Sequence, residues 1–276
     1  YAPPSGASEV LGLEVAGKIK KIGKKVKNFK INQRVCALVH GGGYAEYCKV
    51  FYKHVLPIPK GMNFIEAATI PENFFTVWYN LFERGKIKNT DTVLIHGGSS
   101  GIGTAAIQLC KAHGCKVITT VGNKKKQLFC KKLGADLVID YKKSNFFEAI
   151  TKYTRNEGVD IILDMVGKKY FDKNISLLKD QGKLIMIAFL SGSIIKTDLT
   201  AVMTKRLIIT GSTLRPRTNQ EKAKIIKNFH KSYWTVLTKK TIKPIIYKVF
   251  DLNDTFKAHK LMESSKHLGK IVLRIK

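Results

Sequence analysis

Short apolar runs alternate with amphipathic stretches through the middle of the chain. The run TVLIH (Thr92–His96) is typical of a strand buried on both faces of a sheet. The following stretch places Ile102, Ala106 and Leu109 on one face at helical spacing, and Gly114 predicts where that helix ends. Strand–helix units of this length predict right-handed crossovers and a parallel sheet with helices on both faces.

The same alternation continues along the chain until six strands are predicted. Helical patterns KKKQLFCKKLG, NFFEAITKYT and YFDKNISLL separate successive strands. Six such strands predict an α/β fold with a doubly wound, Rossmann-like parallel sheet. The five further strands are CKVITTV (Cys115–Val121), ADLVIDY, VDIILDMV (Val159–Val166), KLIMIAF (Lys183–Phe189) and RLIITGSTL (Arg206–Leu214).

The two ends of the chain have a different pattern. Ala16–Pro59 offers the short runs AGKIKKIG, QRVCALV and YAEYCKV between glycine clusters, which predicts an antiparallel, barrel-like region. Near the C-terminus, IKPIIYKVF and KIVLRIK predict strands on either side of an amphipathic helix near Asp251–Ser264. We therefore predict one domain from residues 1–75 and 216–276, with a dinucleotide-binding domain, residues 76–215, inserted between them.

Composition narrows the class of protein. The chain has 276 residues, 44% of them hydrophobic, and no apolar run of the roughly 20 residues that a membrane span needs. Its formal charge of +29 predicts weak attraction to phosphates. Lysine greatly outnumbers arginine and no aromatic-rich nucleic-acid signature accompanies it, so we do not expect a specific nucleic-acid partner or a membrane partner.

The cysteines indicate the redox environment. Five of them, an odd number, are scattered among apolar residues, which argues against a disulfide framework. This usage predicts a reducing compartment, and we expect a cytoplasmic location. They are Cys36, Cys48, Cys110, Cys115 and Cys130.

A glycine-rich turn, HGGSSGIGTAA, connects the first predicted strand to its helix. Gly98, Gly101 and Gly103 form G-x-x-G-x-G, a variant of the dinucleotide fingerprint G-x-G-x-x-G. The turn follows a strand and opens a helix, which is the context that the fingerprint requires. Backbone N–H groups at such a helix start bind a pyrophosphate, so the turn predicts a nucleotide cofactor.

The end of the second predicted strand distinguishes the two nicotinamide cofactors. NAD binders carry a carboxylate there for the ribose 2′-hydroxyl. This chain has Gly122 and Asn123 followed by three lysines, Lys124 to Lys126, and Tyr141 comes just after the third strand. Lysines at a helix start oppose the helix dipole, which favours an anion nearby. We therefore predict NADPH.

A metal site or a hydrolase fits the sequence less well than a nicotinamide-binding protein does. Zinc ligands would need clustered spacing, and Cys36 with His40, or Cys110 with His113 and Cys115, are the nearest approaches, so no metal site is predicted. The string GGSSG contains G-x-S-x-G, yet the cofactor-like second strand argues against a nucleophile elbow. A short-chain dehydrogenase needs a Tyr-x-x-x-Lys pair, which this chain lacks.

The chain resembles a known family along most of its length. It is similar to the zinc-free, zeta-crystallin-like quinone oxidoreductases of the medium-chain dehydrogenase/reductase superfamily, whose catalytic domain is GroES-like. The start YAPPSGAS is most similar to the p53-inducible quinone oxidoreductase type. The matching stretches are LGLEVAGKIKKIG, GGGYAEY, AATIPENFFTVWYNLF, HGGSSGIGTAAIQL, LGADLVIDY, DMVGKKYFDKNISLL and HLGKIVLRI.

The resemblance implies NADPH as cofactor, a homodimer, and transfer of hydride or electrons to a quinone without metal. It implies no particular catalytic residue, and we name none. It also implies that the first strands of the GroES-like domain, with an asparagine of the nicotinamide pocket, are missing from this chain. The implied cofactor contacts are Ser99, Ser100, Gly101 and Ile102 for the pyrophosphate, Gly122, Asn123, Lys126 and Tyr141 for the 2′-phosphate and adenosine, and Thr76, Phe189, Leu190, Thr213, Leu214 and Arg215 around the nicotinamide.

Two alternatives to quinone reduction stay open at this point. The same hydride could reach the activated C=C bond of an enone or enoyl substrate. A nucleotide-binding crystallin-like or RNA-binding protein is the alternative outside enzymology, because relatives include lens crystallins and the lysine excess attracts RNA.

Overall fold

The computed structural model describes Pro4 and residues 6–275. The strands are β1 (Glu14–Lys18), β2 (Arg34–Leu38), β3 (Val55–Pro57), β4 (Thr92–His96), β5 (Lys116–Val121), β6 (Leu137–Asp140), β7 (Val159–Asp164), β8 (Leu178–Met186), β9 (Ile208–Gly211), β10 (Ile246–Asp251) and β11 (Lys270–Arg274). The α-helices are α1 (Phe64–Ala67), α2 (Pro71–Val77), α3 (Gly101–His113), α4 (Lys124–Lys132), α5 (Phe146–Tyr153), α6 (Phe171–Leu177), α7 (Thr200–Thr204), α8 (Asn219–Thr238) and α9 (Thr255–Glu263), and a π-helix spans Trp78–Arg84.

The described chain divides into two compact units. One contains the chain up to Thr76 and from Leu214 onward, and the other runs from Val77 to Thr213. The second unit holds a six-stranded parallel sheet in the order β6-β5-β4-β7-β8-β9. This is the strand order of the doubly wound dinucleotide fold, so the predicted Rossmann-like sheet is confirmed.

The central strand β4 explains why the sheet is buried on both faces. All five of its residues are buried, and it pairs in parallel with β5 on one side and β7 on the other. Helix α3 packs a continuous buried stretch, Gly103–Cys110, against this sheet and ends at Gly114, whose φ of 100° is the left-handed conformation that glycine adopts readily. The helical spacing and its stop signal are thus confirmed.

The first unit combines two small sheets with helices. Strands β1, β2 and β3 form an antiparallel sheet, whereas β10 and β11 pair in parallel on either side of α9. Phe74 and Phe75 on α2 pack on Phe229 of α8, with ring centroids 6.2 and 5.3 Å apart. The GroES-like antiparallel region and the C-terminal strand–helix–strand are confirmed.

Two features of the first unit differ from the sequence predictions. YAEYCKV is irregular instead of a strand, because its first residue and the two glycines before it bond to the loop at residues 10–12. Gly42, Gly43 and Tyr44 donate their N–H groups to the carbonyls of Val10, Gly12 and Leu11. The long helix α8 was not predicted at all. Half of the YAPPSGAS stretch, Tyr1 to Pro3 and Ser5, lies outside the residues that the structure describes.

Two further expectations concern the pairing of the cysteines and the presence of membrane-spanning segments. All five cysteines are free, and Cys48 is exposed while the other four are buried. None of the described helices is long and apolar enough to cross a membrane.

Candidate dinucleotide-binding site

The glycine turn connects β4 to α3 at the carboxyl edge of the sheet. The N–H groups of Gly97 and Gly98 both donate to the Thr120 carbonyl of the neighbouring strand, at 3.1 Å. Ser100 begins α3 as its N-cap, with Oγ accepting from the Gly103 N–H at 2.9 Å. The turn is therefore held to the sheet on one side and to the helix on the other. The first N–H groups of a helix have no intrahelical partner, so other groups can bind to them.

Glycine is required in the turn by close backbone packing. A Cβ on Gly98 would lie 2.1 Å from Thr119 Oγ1, and a Cβ on Gly103 would lie 2.3 Å from the Gly97 carbonyl oxygen. Gly97 itself has a φ of 73°. Glycine at these positions therefore brings the start of α3 closer to the sheet than a residue with a side chain would allow.

A buried histidine lies at the end of β4, directly before the glycine turn. His96, the last residue of β4, is fully buried, with Nδ1 3.0 Å from Thr120 Oγ1 and Nε2 2.8 Å from Asn174 Oδ1. Burial lowers the pKa of this imidazole, while Asp164 and Asn174 act in the opposite direction. A neutral ring accepts the Thr120 hydroxyl proton at Nδ1 and donates from Nε2, so it fixes the strand end from which the turn departs.

The loop after β5 carries the predicted 2′-phosphate residues. Asn123 is the N-cap of α4, and its Oδ1 accepts from the Lys126 N–H at 2.9 Å. A Cβ on Gly122 would lie 2.8 Å from the Tyr141 hydroxyl oxygen, so this phenol lies against the loop. The Tyr141 N–H also donates to the Val121 carbonyl at 3.0 Å. The structure thus brings Gly122, Asn123, Lys126 and Tyr141 together.

The charges around this loop are positive. Burial lowers the pKa of Lys126; Cys130 opposes this, and the positive charge of Lys142 lowers the pKa further. Asp140, the last residue of the neighbouring strand β6, is buried and accepts the Lys142 N–H through Oδ1 at 3.2 Å. NAD binders carry an acid near the end of this strand, whereas residues 122–126, which directly follow β5, contain no carboxylate.

The loops after β7 and β8 are bonded to each other at the same edge. Leu190 N–H donates to the Met165 carbonyl at 3.1 Å, and the Met165 sulfur would lie 2.9 Å from a Cβ on Gly97. Gly167, with a φ of 79°, packs on the Phe189 ring. Phe189 and Leu190 are both exposed. Sequence reasoning missed Met165, for which no motif gave a signal.

Thr213 follows the last strand of the sheet. Its neighbour Ser212 donates from Oγ to Oδ1 of the buried Asn80 at 2.9 Å, and from its N–H to the Met186 carbonyl at 3.1 Å. Thr213 is exposed beyond this anchor. It therefore lies at the carboxyl edge of the sheet, like the turn and the loops already described.

Three predicted residues lie in the other unit. Thr76 is on α2, Leu214 is buried, and the carbonyl of Arg215 accepts from Lys222 Nζ at 2.6 Å. The structure therefore groups eleven of the predicted contacts at one sheet edge and places these three separately. The eleven are Ser99, Ser100, Gly101, Ile102, Gly122, Asn123, Lys126, Tyr141, Phe189, Leu190 and Thr213.

A second lysine environment surrounds Lys222 on α8. The residue is 1% exposed, and its Nζ lies 3.1 and 2.9 Å from the two ring nitrogens of His40. An ammonium can only donate, so His40 accepts and is neutral. Burial lowers the pKa of Lys222 to about 8, and the negative charge of Glu72 partly opposes this.

Glu72 belongs to the same unit and has an unusual pKa. Its N–H donates to Glu14 Oε2 at 3.0 Å, and Lys270 forms an ion pair with Glu14. Burial, and then the negative charge of Glu14, raise the pKa of Glu72 to about 7 against the opposing charges of Lys270, Lys222 and Arg215. Within the described residues, no group of three or more His, Cys, Asp or Glu side chains is arranged to hold a metal ion.

Comparison with known proteins identifies the family. The profile of the zinc-binding dehydrogenase family matches residues 101–231, and that of the alcohol dehydrogenase GroES-like domain matches residues 1–60. Rat quinone oxidoreductase is 30% identical over 264 residues, which are 95% of this chain and 78% of the rat protein.

Solved structures give the same result. Escherichia coli quinone oxidoreductase complexed with NADPH superposes with a TM-score of 0.88 at 28% identity, covering 99% of this chain and 84% of that one. The CurK enoyl reductase superposes with a TM-score of 0.85 at 27% identity, covering 97% and 79%. The chain belongs to the medium-chain dehydrogenase/reductase superfamily of oxidoreductases and is a relative of its quinone oxidoreductases.

Proposed function

We propose that this protein is an NADPH-dependent reductase that transfers hydride or electrons to a quinone without a metal ion. The observation that carries the proposal is the loop after β5, where Asn123, Lys126 and Tyr141 converge and no carboxylate takes the usual place of the NAD-binding acid. The quinone oxidoreductase relatives, and the E. coli structure complexed with NADPH, support it.

The residues at the sheet edge fit a dinucleotide. A Cβ on Gly98 or Gly103 would clash with Thr119 or with the Gly97 carbonyl, so glycine at these positions allows the close approach of helix and strand that a pyrophosphate-binding turn requires. Ser99 to Ile102 would hold that pyrophosphate. Lys126 would bind the 2′-phosphate, and the Tyr141 phenol would line the adenosine site. When bound, the nicotinamide supplies a hydride.

Within the unit that holds the parallel sheet, Phe189, Leu190 and Thr213 are proposed to contact the nicotinamide. Exposed apolar side chains such as Phe189 and Leu190 exclude water and hold a flat acceptor by stacking and contact. A quinone accepts hydride readily and its oxygens can take protons from water. The task of the protein is therefore orientation, and no residue is assigned as a proton donor.

An enone or enoyl substrate is the second candidate. The superposition with the CurK enoyl reductase supports it, since that protein shares the fold over 97% of this chain. Both reactions use the same hydride and differ in the acceptor. We place the quinone first because the quinone oxidoreductase relatives reach 30% identity over 95% of the chain.

The dimer, the cytoplasmic location and the absence of zinc remain predictions. The family profile that matches residues 101–231 is described as a zinc-binding dehydrogenase, so zinc content needs a direct measurement. Elemental analysis of purified protein, with and without added Zn²⁺, is expected to give less than one zinc per chain and unchanged activity.

The reaction is tested by following NADPH absorbance while an ortho-quinone or an enone is added. The proposal predicts quinone-dependent oxidation of NADPH, slower oxidation with NADH, and little oxidation with the enone. A faster reaction with the enone would favour the second candidate. Nucleotide binding without turnover of either acceptor would contradict the enzyme assignment.

A further inference from the structure

A lysine-rich loop, residues 18–33, connects β1 to β2 in the first unit. Two backbone bonds close this lysine loop, from the Ile19 N–H to the Gln33 carbonyl at 3.1 Å and from the Asn32 N–H to the Ile19 carbonyl at 2.9 Å. No Asp or Glu occurs in residues 15–45. The lysine loop contains seven lysines, which are Lys18, Lys20, Lys21, Lys24, Lys25, Lys27 and Lys30.

Further bonds hold the backbone of the lysine loop. The Val26 N–H donates to the Gly23 carbonyl at 2.9 Å. The Lys30 N–H donates to Gln33 Oε1 at 3.0 Å, and the Gln33 N–H donates to the Lys30 carbonyl at 3.1 Å. Because the chain returns to the closing bonds within the loop, no backbone atom of it lies more than about 25 Å from them. The seven positive charges are therefore carried on one compact loop.

The positive charge of the lysine loop is not balanced by the fold. All seven lysines are exposed. Among the described residues, no ion pair includes any of them, whereas Lys111 pairs with Asp136 at 2.9 Å and Lys179 pairs with Asp160 at 3.0 Å. An anionic partner would therefore meet these ammonium groups without competition from a carboxylate of the chain itself.

One large apolar side chain accompanies these lysines at the surface. Ile31 directly follows Lys30 and is 53% exposed. The lysine loop contains no arginine, and its one aromatic residue, Phe29, is half-buried. Exposed aromatic and guanidinium groups are the side chains that stack on nucleic-acid bases. The loop thus combines unbalanced charge with an apolar contact, and lacks the groups that favour a nucleic acid.

A bilayer that contains anionic lipids fits both features. Its negative surface potential attracts clustered lysines, and an apolar side chain beside them can enter the headgroup region. We propose that the lysine loop binds the surface of an anionic lipid bilayer, with its lysines at the headgroup phosphates and Ile31 inserted among the lipids. Composition alone did not predict a membrane partner, because it could not show that these lysines are all exposed. Such peripheral binding needs no membrane-spanning helix, and it is independent of the proposed function.

Helix α8, which belongs to the same unit, provides a matched control. Three of its lysines are exposed, so their replacement removes the same charge from a different part of the surface. A general effect of net charge would be the same for both triple variants, whereas a contact would be specific to the loop. The loop variant is Lys20→Gln, Lys21→Gln and Lys25→Gln, and the α8 variant is Lys224→Gln, Lys227→Gln and Lys231→Gln.

The test is co-sedimentation of the protein with vesicles of phosphatidylcholine, alone or mixed with phosphatidylserine. Wild type is expected to bind only the mixed vesicles, and to bind at least about tenfold more weakly when salt rises from about 0.1 to about 0.5 M. The loop variant should bind about 100-fold more weakly, because each lysine near an anionic surface contributes about fivefold. The α8 variant should change binding by less than about threefold. Ile31→Ser should weaken binding by about fivefold.

A single-stranded RNA oligonucleotide is titrated in parallel, so that a nucleic-acid partner is also an outcome. Absence of wild-type binding to the mixed vesicles would overturn the inference. Equal losses in the two triple variants would also overturn it, since they would indicate only the overall charge of the protein. Tighter binding of the RNA than of the vesicles, unchanged by Ile31→Ser, would indicate a nucleic-acid partner in place of a bilayer.

Discussion

Lys222 and Lys126 occupy opposite kinds of environment in the two units. Lys222 is buried and donates to the Arg215 carbonyl and to the neutral His40, so the fold itself supplies its partners. Lys126 lies in the first turn of α4, where the helix dipole opposes its charge, and burial, with the positive charge of Lys142, lowers its pKa. The difference teaches that a lysine buried inside a unit indicates a structural role, whereas a lysine in the first turn of a helix at the carboxyl edge of a sheet favours an incoming anion.

The largest expected effect concerns the glycine turn at the same edge as Lys126. Gly103→Ala would place a Cβ 2.3 Å from the Gly97 carbonyl oxygen and 2.6 Å from Gly98 Cα. Because backbone must move, we expect a loss of about 3 kcal/mol in the free energy of unfolding and no measurable cofactor binding. Urea denaturation measures the first and fluorescence titration the second. Gly17→Ala, which meets nothing within 4 Å, is the control and should be close to neutral.

Replacement of Lys222 should have the second-largest effect on the free energy of unfolding. Lys222→Met keeps the length of the side chain but leaves the Arg215 carbonyl without its donor. We expect a loss of about 2 kcal/mol in the free energy of unfolding at neutral pH, the cost of an unsatisfied buried acceptor and a lost cation. Lys126→Met is the matched substitution in the first turn of α4. An equal loss in its free energy of unfolding would contradict the distinction between the two lysines.

Glu72, in the same unit as Lys222, is expected to make the free energy of unfolding depend on pH. Its pKa rises from an ordinary value of 4.5 to about 7, so the folded state holds this proton more tightly than the unfolded chain. Its contribution to stability is therefore complete below pH 4.5 and declines as the pH rises through about 7.

The free energy of unfolding of wild type minus that of Glu72→Gln should accordingly fall between pH 4.5 and 7. Chemical denaturation at several pH values measures this difference. A difference that is flat, or that rises, across this range would show that Glu72 is not held in its protonated form.

The smallest effect is expected at the start of α4. Lys126→Ala removes a charge that opposes the helix dipole and introduces a good helix former, so the free energy of unfolding should rise by at most about 0.5 kcal/mol. Thermal unfolding in the absence of nucleotide measures it. A clear destabilisation would mean that Lys126 has a structural role like that of Lys222.

Local patterns predicted the central sheet and part of the candidate site. The apolar run Thr92–His96 and the stop at Gly114 were sufficient to place a buried strand and its helix. The glycine turn and the lysines after β5 were also visible, because both are short motifs whose meaning depends on neighbours along the chain. The sequence could not show that the Tyr141 hydroxyl, from a different loop, lies beside Gly122.

Other features depend on long-range pairing. The alternating run YAEYCKV has the period of a strand, yet the residues just before it bond to the loop at residues 10–12 instead of a neighbouring strand. In α8, lysines separate the apolar residues of the buried face along the sequence. These apolar residues include Ile225, Ile226 and Phe229. Amphipathic helices rich in lysine can be mistaken for solvated charge runs, because their apolar positions are interrupted in sequence.

The central claim is that positive charge after β5 selects NADPH. Its most direct test is to titrate wild type and Lys126→Ala with NADPH and with NADH. The account predicts that wild type prefers NADPH, and that the substitution weakens NADPH binding by roughly 1–3 kcal/mol while NADH binding stays nearly constant. A wild-type preference for NADH, or an equal loss of affinity for both nucleotides in Lys126→Ala, would contradict it.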